Sequence, residues 1–181
     1  VQVWEIETNR NIAHIPHADQ LNSLEFAPNN HTLLITTDSE SVLWDIVAQQ
    51  PIPLPIDNPD GFKFSPDGNT VALYSSRGEM LWDFIAQQPV SLPVDNLSYL
   101  NFSATGKYAV IGSGAERELW NLEIPQKLRL PLPVGNIYGF FFGPNDQYVG
   151  ITHSDGALLW NLQNNSSVTV SDEDTYILSF S

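Results

Sequence analysis

Tryptophan recurs at Trp4, Trp44, Trp82, Trp120 and Trp160, in steps of 40, 38, 38 and 40 residues. A phenylalanine series accompanies it at Phe26, Phe64, Phe102, Phe142 and Phe180. From each phenylalanine to the next tryptophan the step is always 18 residues, whereas from tryptophan to phenylalanine it is 20 or 22. A fixed stretch alternating with a variable one is the behaviour of a repeat whose one part is packed and whose other part includes a surface loop. A period near 40 restricts the fold to a series of similar supersecondary units.

Within the fixed stretch four copies align without a gap. Each phenylalanine is followed by a turn sequence: Ala27-Pro28-Asn29-Asn30, Ser65-Pro66-Asp67-Gly68, Ser103-Ala104-Thr105-Gly106 and Gly143-Pro144-Asn145-Asp146. Proline presets φ, and Asn, Asp and Gly tolerate positive φ, so this is a tight turn between two strands. An apolar run follows (Leu33-Leu34-Ile35, Val71-Ala72-Leu73, Ala109-Val110-Ile111, Val149-Gly150-Ile151), then small polar residues that mark a hairpin loop. The next strand ends in Leu43-Trp44-Asp45, Leu81-Trp82-Asp83, Leu119-Trp120-Asn121 and Leu159-Trp160-Asn161.

Beyond the tryptophans lie polar, proline-containing stretches, each followed by a short apolar one, for example Gln50-Pro51-Ile52-Pro53-Leu54-Pro55 and Gln88-Pro89-Val90-Ser91-Leu92-Pro93. Proline cannot donate to a ladder, so this fourth strand is expected at a sheet edge. No segment has helical periodicity. The expected class is therefore all-β, with four-stranded antiparallel blades of a β-propeller, about four and a half of them. One such blade has two apolar faces and needs neighbours to cover them, and the marker Trp and Phe residues are expected to supply most of that burial.

These residues resemble the WD-repeat family of propellers over essentially the whole chain. The likeness rests on Trp44-Asp45 and Trp82-Asp83 closing their strands and on the Phe64-Ser65-Pro66-Asp67-Gly68 hairpin. The repeats are degenerate. The Trp-Asp pair becomes Trp4-Glu5, Trp120-Asn121 and Trp160-Asn161. The family's Gly-His pair is replaced by Asp57-Asn58, Asp95-Asn96 and Gly135-Asn136, with a lone His17 near the first copy, and its hairpin Asp survives only as Asp38. The buried His–Ser–Asp–Trp hydrogen-bond network that the resemblance implies should accordingly be incomplete.

The repeat units are expected at about 1–20, 21–57, 58–95, 96–135, 136–174 and 175–181, all within one segment covering 1–181. Val1 to Glu5 match the third strand of a blade and Tyr176 to Ser181 a first strand, so a fifth blade made from both ends would lack its second strand. The expectation is a partial propeller, completed by the remaining blades of a larger ring. An isolated segment of that kind should expose apolar faces on its terminal blades.

Charge sets the expected partner. Twenty-one acidic and seven basic side chains give a net charge of −14. Nucleic acid and anionic membrane surfaces require clustered Lys and Arg, so neither is an expected partner. A basic protein or peptide would be attracted, at a rate that falls with salt. There is no Cys, which excludes disulfides and thiolate metal sites. No signal segment opens the chain and no apolar run is long enough to span a bilayer, and the location expected is cytoplasmic.

No set of residues has the spacing of a catalytic or metal centre, and no cofactor is expected. His14, His17, His31 and His153 match no zinc pattern and are expected as surface or turn residues. His153-Ser154-Asp155 cannot form a triad from adjacent positions, and Gly112-Ser113-Gly114 lacks the Lys and helix of a phosphate loop, so it is expected as a turn. Ser171-Asp172-Glu173-Asp174 is expected as a solvated loop, and the sequons at Asn30, Asn96, Asn101, Asn164 and Asn165 as chance. The function expected is a non-catalytic protein- or peptide-binding scaffold. The alternatives are a sensor or regulatory segment of a multidomain signalling protein, and an enzyme or metal-dependent propeller with an axial pocket. Candidate contact residues lie where loops vary while Trp and Phe stay fixed: Asp38, Glu40, Asp57, Asn58, Arg77, Glu79, Asp95, Asn96, Glu116, Arg117 and Asp155.

Overall fold

The computed structural model describes residues 1–16, 19–92, 96–113, 116–124, 126–128, 136–171 and 180. They form five antiparallel sheets and no helix. The first sheet has two strands, β1 (Gln2–Glu5) and β2 (Arg10–His14). The second runs β3 (Leu21–Phe26), β4 (Thr32–Thr37), β5 (Ser41–Asp45) and β6 (Gln50–Ile52). The third runs β7 (Gly61–Phe64), β8 (Thr70–Ser75), β9 (Gly78–Asp83) and β10 (Gln88–Pro89). The fourth comprises β11 (Tyr99–Phe102), β12 (Tyr108–Ser113), β13 (Glu116–Asn121) and β14 (Gln126–Leu128). The fifth comprises β15 (Ile137–Phe142), β16 (Tyr148–His153), β17 (Gly156–Asn161) and β18 (Ser166–Ser171). In every four-stranded sheet the strands lie in sequence order, so each connection is a hairpin.

Turn chemistry explains why the chain folds back where it does. Asn30, Gly68, Gly106 and Asp146, the fourth residues of the four aligned turns, have φ of 60°, 69°, 79° and 55°. In each turn the N–H of that residue donates to the carbonyl three positions back, as in Gly68 to Ser65 at 2.9 Å. The hairpins after Trp44, Trp82, Trp120 and Trp160 share a second device. Asp45 Oδ1 accepts from the N–H groups of Val47 and Ala48, both at 2.8 Å, and Asp83 Oδ1 does the same for Ile85 and Ala86. Asn121 and Asn161 repeat the pattern through their own Oδ1 atoms. Only a carbonyl-type oxygen is used, which is why Asp and Asn interchange after Trp.

The two fourth strands that carry proline lie at sheet edges, as proline requires: β6 and β10 are outermost, with Pro51 opposite Trp44 and Pro89 opposite Trp82.

Contacts divide the chain into two compact units, Val1–Pro89 and Val90–Ser181. In the first, strand alternation distributes β4 between two cores. Leu33 and Ile35 pack with Val3, Ala13 and Ile15 of the two-stranded sheet and its exit, whereas Leu34 packs with Phe64, Val71 and Leu73 of the third sheet and with Phe84 just beyond β9. In the second unit Val110 and Leu119 of the fourth sheet pack with Phe140, Val149, Ile151 and Trp160 of the fifth. Each sheet therefore buries a face against the next one within its unit.

The marker aromatics contribute less than the sequence suggests. Trp120 and Trp160 are each 4% exposed, and Trp44 and Trp82 are partly buried. Trp4, Phe26 and Phe180, however, are 51%, 52% and 38% exposed. The largest fully buried side chains are mostly aliphatic residues of the second and third strands, among them Leu33, Leu34, Leu43, Leu73, Ile111 and Ile151. The reason lies in neighbours. Phe64 is covered by the complete second sheet, whereas Phe26, paired with Leu33, faces a sheet of only two strands. The indole Nε1 atoms of Trp44, Trp82 and Trp120 are buried without a hydrogen-bond partner among the described residues, so at these three positions the indole end of the implied network is not made.

Two further expectations are corrected. His153 is a strand residue of β16 at 5% exposure, not a surface or turn histidine, because its place in the register puts it opposite Gly156 and Ile137. Gly112 and Ser113 end β12, pairing with Arg117 and Glu116, and are not turn residues; Gly114 lies outside the described residues.

Candidate recognition surface at the hairpin ends

The hairpins between second and third strands carry most of the candidate contact residues. Asp38 and Glu40 sit on the β4–β5 hairpin, Arg77 on β8–β9 with Glu79 beside it, Glu116 and Arg117 at the start of β13, and Asp155 on β16–β17. Asp57 and Asn58 belong to the segment entering β7, and Asn96 to the one entering β11; Asp95 lies outside the described residues.

Several of these side chains hold the loops. Asn58, at φ 47°, accepts from the Ser41 N–H at 3.2 Å and donates through Nδ2 to the Ser39 carbonyl at 2.8 Å. It thereby fastens the segment entering the third sheet to the β4–β5 hairpin of the second. Asn96 Oδ1 caps its own turn, accepting from Ser98 N at 2.6 Å. Asp38 accepts from Asn22 Nδ2 at 3.0 Å. The Arg117 guanidinium stacks over Tyr99, 4.1 Å from the ring centroid, a cation–π contact. Glu79 stands opposite Tyr74 on β8, whose phenol is raised above its ordinary pKa by burial and then by that carboxylate. The Asp155 N–H donates to His153 Nδ1 at 3.2 Å.

Around the Asn58 staple the first unit has a groove of about 500 Å³. Glu40 and Asp57 stand on it, both exposed, with Ser39 and Ser41 beside them. Its lining is otherwise apolar, from Val42, Pro51, Ile52, Leu54 and Ile56, and includes no cationic side chain. Ile52 belongs to the core between the second and third sheets, and Leu54 and Ile56 pack against that core, so the floor rests on rigid structure. Sequence reasoning found Glu40, Asp57 and Asn58 but missed the floor, because 51–56 reads as an edge strand and its exit. The signal was present in the sequence: Ile52, Leu54, Ile56, Asp57 and Asn58 recur as Val90, Leu92, Val94, Asp95 and Asn96.

A second depression of about 620 Å³ in the same unit lies at the opposite, turn end, where Arg10, Asn11, Asn30, His31 and Gln49 meet. Its polar groups are internally engaged: Arg10 pairs with Glu5 at 3.8 Å, and the neutral Gln49 donates through Nε2 to the Ile12 carbonyl at 3.0 Å. The hairpin-end groove is different in keeping two carboxylates without partners among the described residues. No group of three or more His, Asp or Glu among the described residues is gathered to hold a metal; Asp172, Glu173 and Asp174 lie outside them. The described residues contain no helix long and apolar enough to cross a membrane.

What these features define is an all-β chain of repeated antiparallel sheets with an acid-rimmed groove at its hairpin ends. No family model matches the sequence, and no curated protein matches it. In fold it is similar to a crystal structure described as the eukaryotic initiation factor, at a TM-score of 0.60 and 17% identity, over 94% of this chain and 49% of that one. At that identity the likeness concerns the fold alone. The chain spans about half the length of that solved chain.

Proposed function

We propose that this chain is a non-catalytic protein- or peptide-binding scaffold, a segment of a WD-type β-propeller whose remaining blades complete a ring. The observation that carries the binding role is the groove at Glu40 and Asp57, an apolar floor under carboxylates that have no partner among the described residues, in a chain of net charge −14. The propeller reading is supported by four-stranded sheets recurring with the 38–40 residue tryptophan period and by faces that need a neighbouring sheet to cover them. Rigid sheets carrying variable hairpins are the usual division of labour in recognition. The partner is a basic protein or peptide, met in the cytoplasm, with no part for nucleic acid or membrane.

A peptide array of varied charge tests this reading. Binding should concentrate on peptides that combine basic and apolar residues and should fade as salt rises to about 0.5 M, where charge interactions are screened within a few ångströms. Retention of acidic or neutral peptides instead, or none, would sink it.

A further inference from the structure

The hairpin-end groove has a shape and charge suited to one kind of side chain, an assignment that rests on the binding role just proposed. Its two chemistries lie side by side. Ile52, 9% exposed, Leu54 and Ile56 make an aliphatic floor. Glu40 and Asp57 stand exposed on it, and among the described residues neither carboxylate has a hydrogen-bond or ion-pair partner. They come from different segments, the β4–β5 hairpin and the approach to β7, which Asn58 ties together through its bonds to Ser39 and Ser41. The site is thus assembled before a ligand arrives, and that saves ordering entropy on binding.

We propose that this groove receives a lysine side chain from an extended peptide segment, its methylene stem along Ile52, Leu54 and Ile56 and its ammonium at Glu40 and Asp57. A purely aliphatic side chain would cover the floor and leave both carboxylates uncompensated. A short polar one would do the reverse. The lysine stem buries apolar surface while its head stays near water, as an open rim requires. Its three rotatable donors suit carboxylates from two segments, whereas the arginine fork favours one planar, bidentate acceptor. Pro51 on the groove has no N–H to give, so a peptide cannot add to β6 as a fully bonded strand, and side-chain capture carries the recognition.

The test titrates the ¹⁵N-labelled chain with blocked hexapeptides that differ only at a central Lys, Arg, Nε-acetyl-Lys or norleucine. The Lys peptide should move the amide resonances of residues 39–42, Ile52, Leu54 and 56–58 saturably. It should bind about tenfold more tightly than the acetylated or norleucine forms, with Arg between them. Glu40→Gln with Asp57→Asn should remove that preference while leaving the rest of the spectrum in place, and Glu7→Gln, at the β1–β2 turn, should keep it. Equal affinity for Lys and norleucine, or shifts confined to other hairpins, overturns the groove assignment. If the array still selects basic peptides in that case, the general binding role survives without it.

Discussion

Asp45, Asp83, Asn121 and Asn161 occupy the same position after tryptophan, and each uses one oxygen to accept two backbone N–H groups. Carboxylate and amide are equivalent in that role, so Asp45→Asn should change urea-unfolding stability by less than about 0.5 kcal/mol, whereas Asp45→Ala, which removes the acceptor, should cost about 1 kcal/mol. Gly68 is constrained differently. Its φ is +69°, and a Cβ there would stand 2.3 Å from the backbone nitrogen of Asn29, whose side chain donates to the Gly68 carbonyl at 2.7 Å. Gly68→Ala should therefore exceed the roughly 1–3 kcal/mol of an unfavourable φ alone and should separate the turns of the second and third sheets. Tyr74 gives a pH signature. Burial, and then Glu79, raise its phenol above 10.0, so the neutral form is favoured in the folded state. That contribution is complete below about pH 10 and is lost as pH rises through the folded value. Lys107 shifts in the same direction through its hydrogen bond to Glu123. Thermal melts from pH 9 to 11.5 should fall less steeply for Tyr74→Phe than for the wild type; equal slopes would count against the assignment.

At the scale of strands and sheets, the central strand does more than the marker residues. Leu33, Leu34 and Ile35 of β4 are 2%, 2% and 3% exposed, which is possible only if both faces of that strand are covered. Leu34→Ala should cost about 2–5 kcal/mol by leaving a cavity between the second and third sheets. Phe26→Ala, at a side chain 52% exposed, should cost under about 1 kcal/mol. A reversed order in chemical unfolding would mean that Phe26 is an essential core residue after all. The same contrast shows what the sequence makes legible. Strand number, hairpin positions and edge prolines follow from local chemistry: the positive φ of Asn30, Gly68, Gly106 and Asp146, the missing N–H of Pro51. Burial is not local: Phe26 and Phe64 hold the same repeat position, yet Phe64 belongs to a core shared with a four-stranded sheet and Phe26 is 52% exposed. The groove was half legible for a related reason. Glu40, Asp57 and Asn58 announce themselves as polar loop residues, but Leu54 and Ile56 become its floor only through packing against Ile52 and its core neighbours.

For the whole molecule, charge and uncovered apolar surface act in opposite directions. A net charge of −14 makes two copies repel one another at low salt. Leu24 and Phe26 on β3, 45% and 52% exposed, and Trp4 on β1, 51% exposed, are surfaces that further strands would cover in the ring proposed above. Salt removes the repulsion and leaves hydrophobic attraction intact. Self-association should therefore grow between about 0.05 and 0.5 M salt, the opposite of the salt response expected for capture of a basic peptide. Leu24→Ser with Phe26→Ser should suppress the salt-promoted association seen by sedimentation velocity, while the response of peptide binding to salt stays as it was, since those residues do not line the groove. A chain that sediments as a monomer across the whole range would show that these surfaces are not waiting for a neighbour. The tryptophan period and the recurring four-stranded sheets alone would then speak for a larger ring.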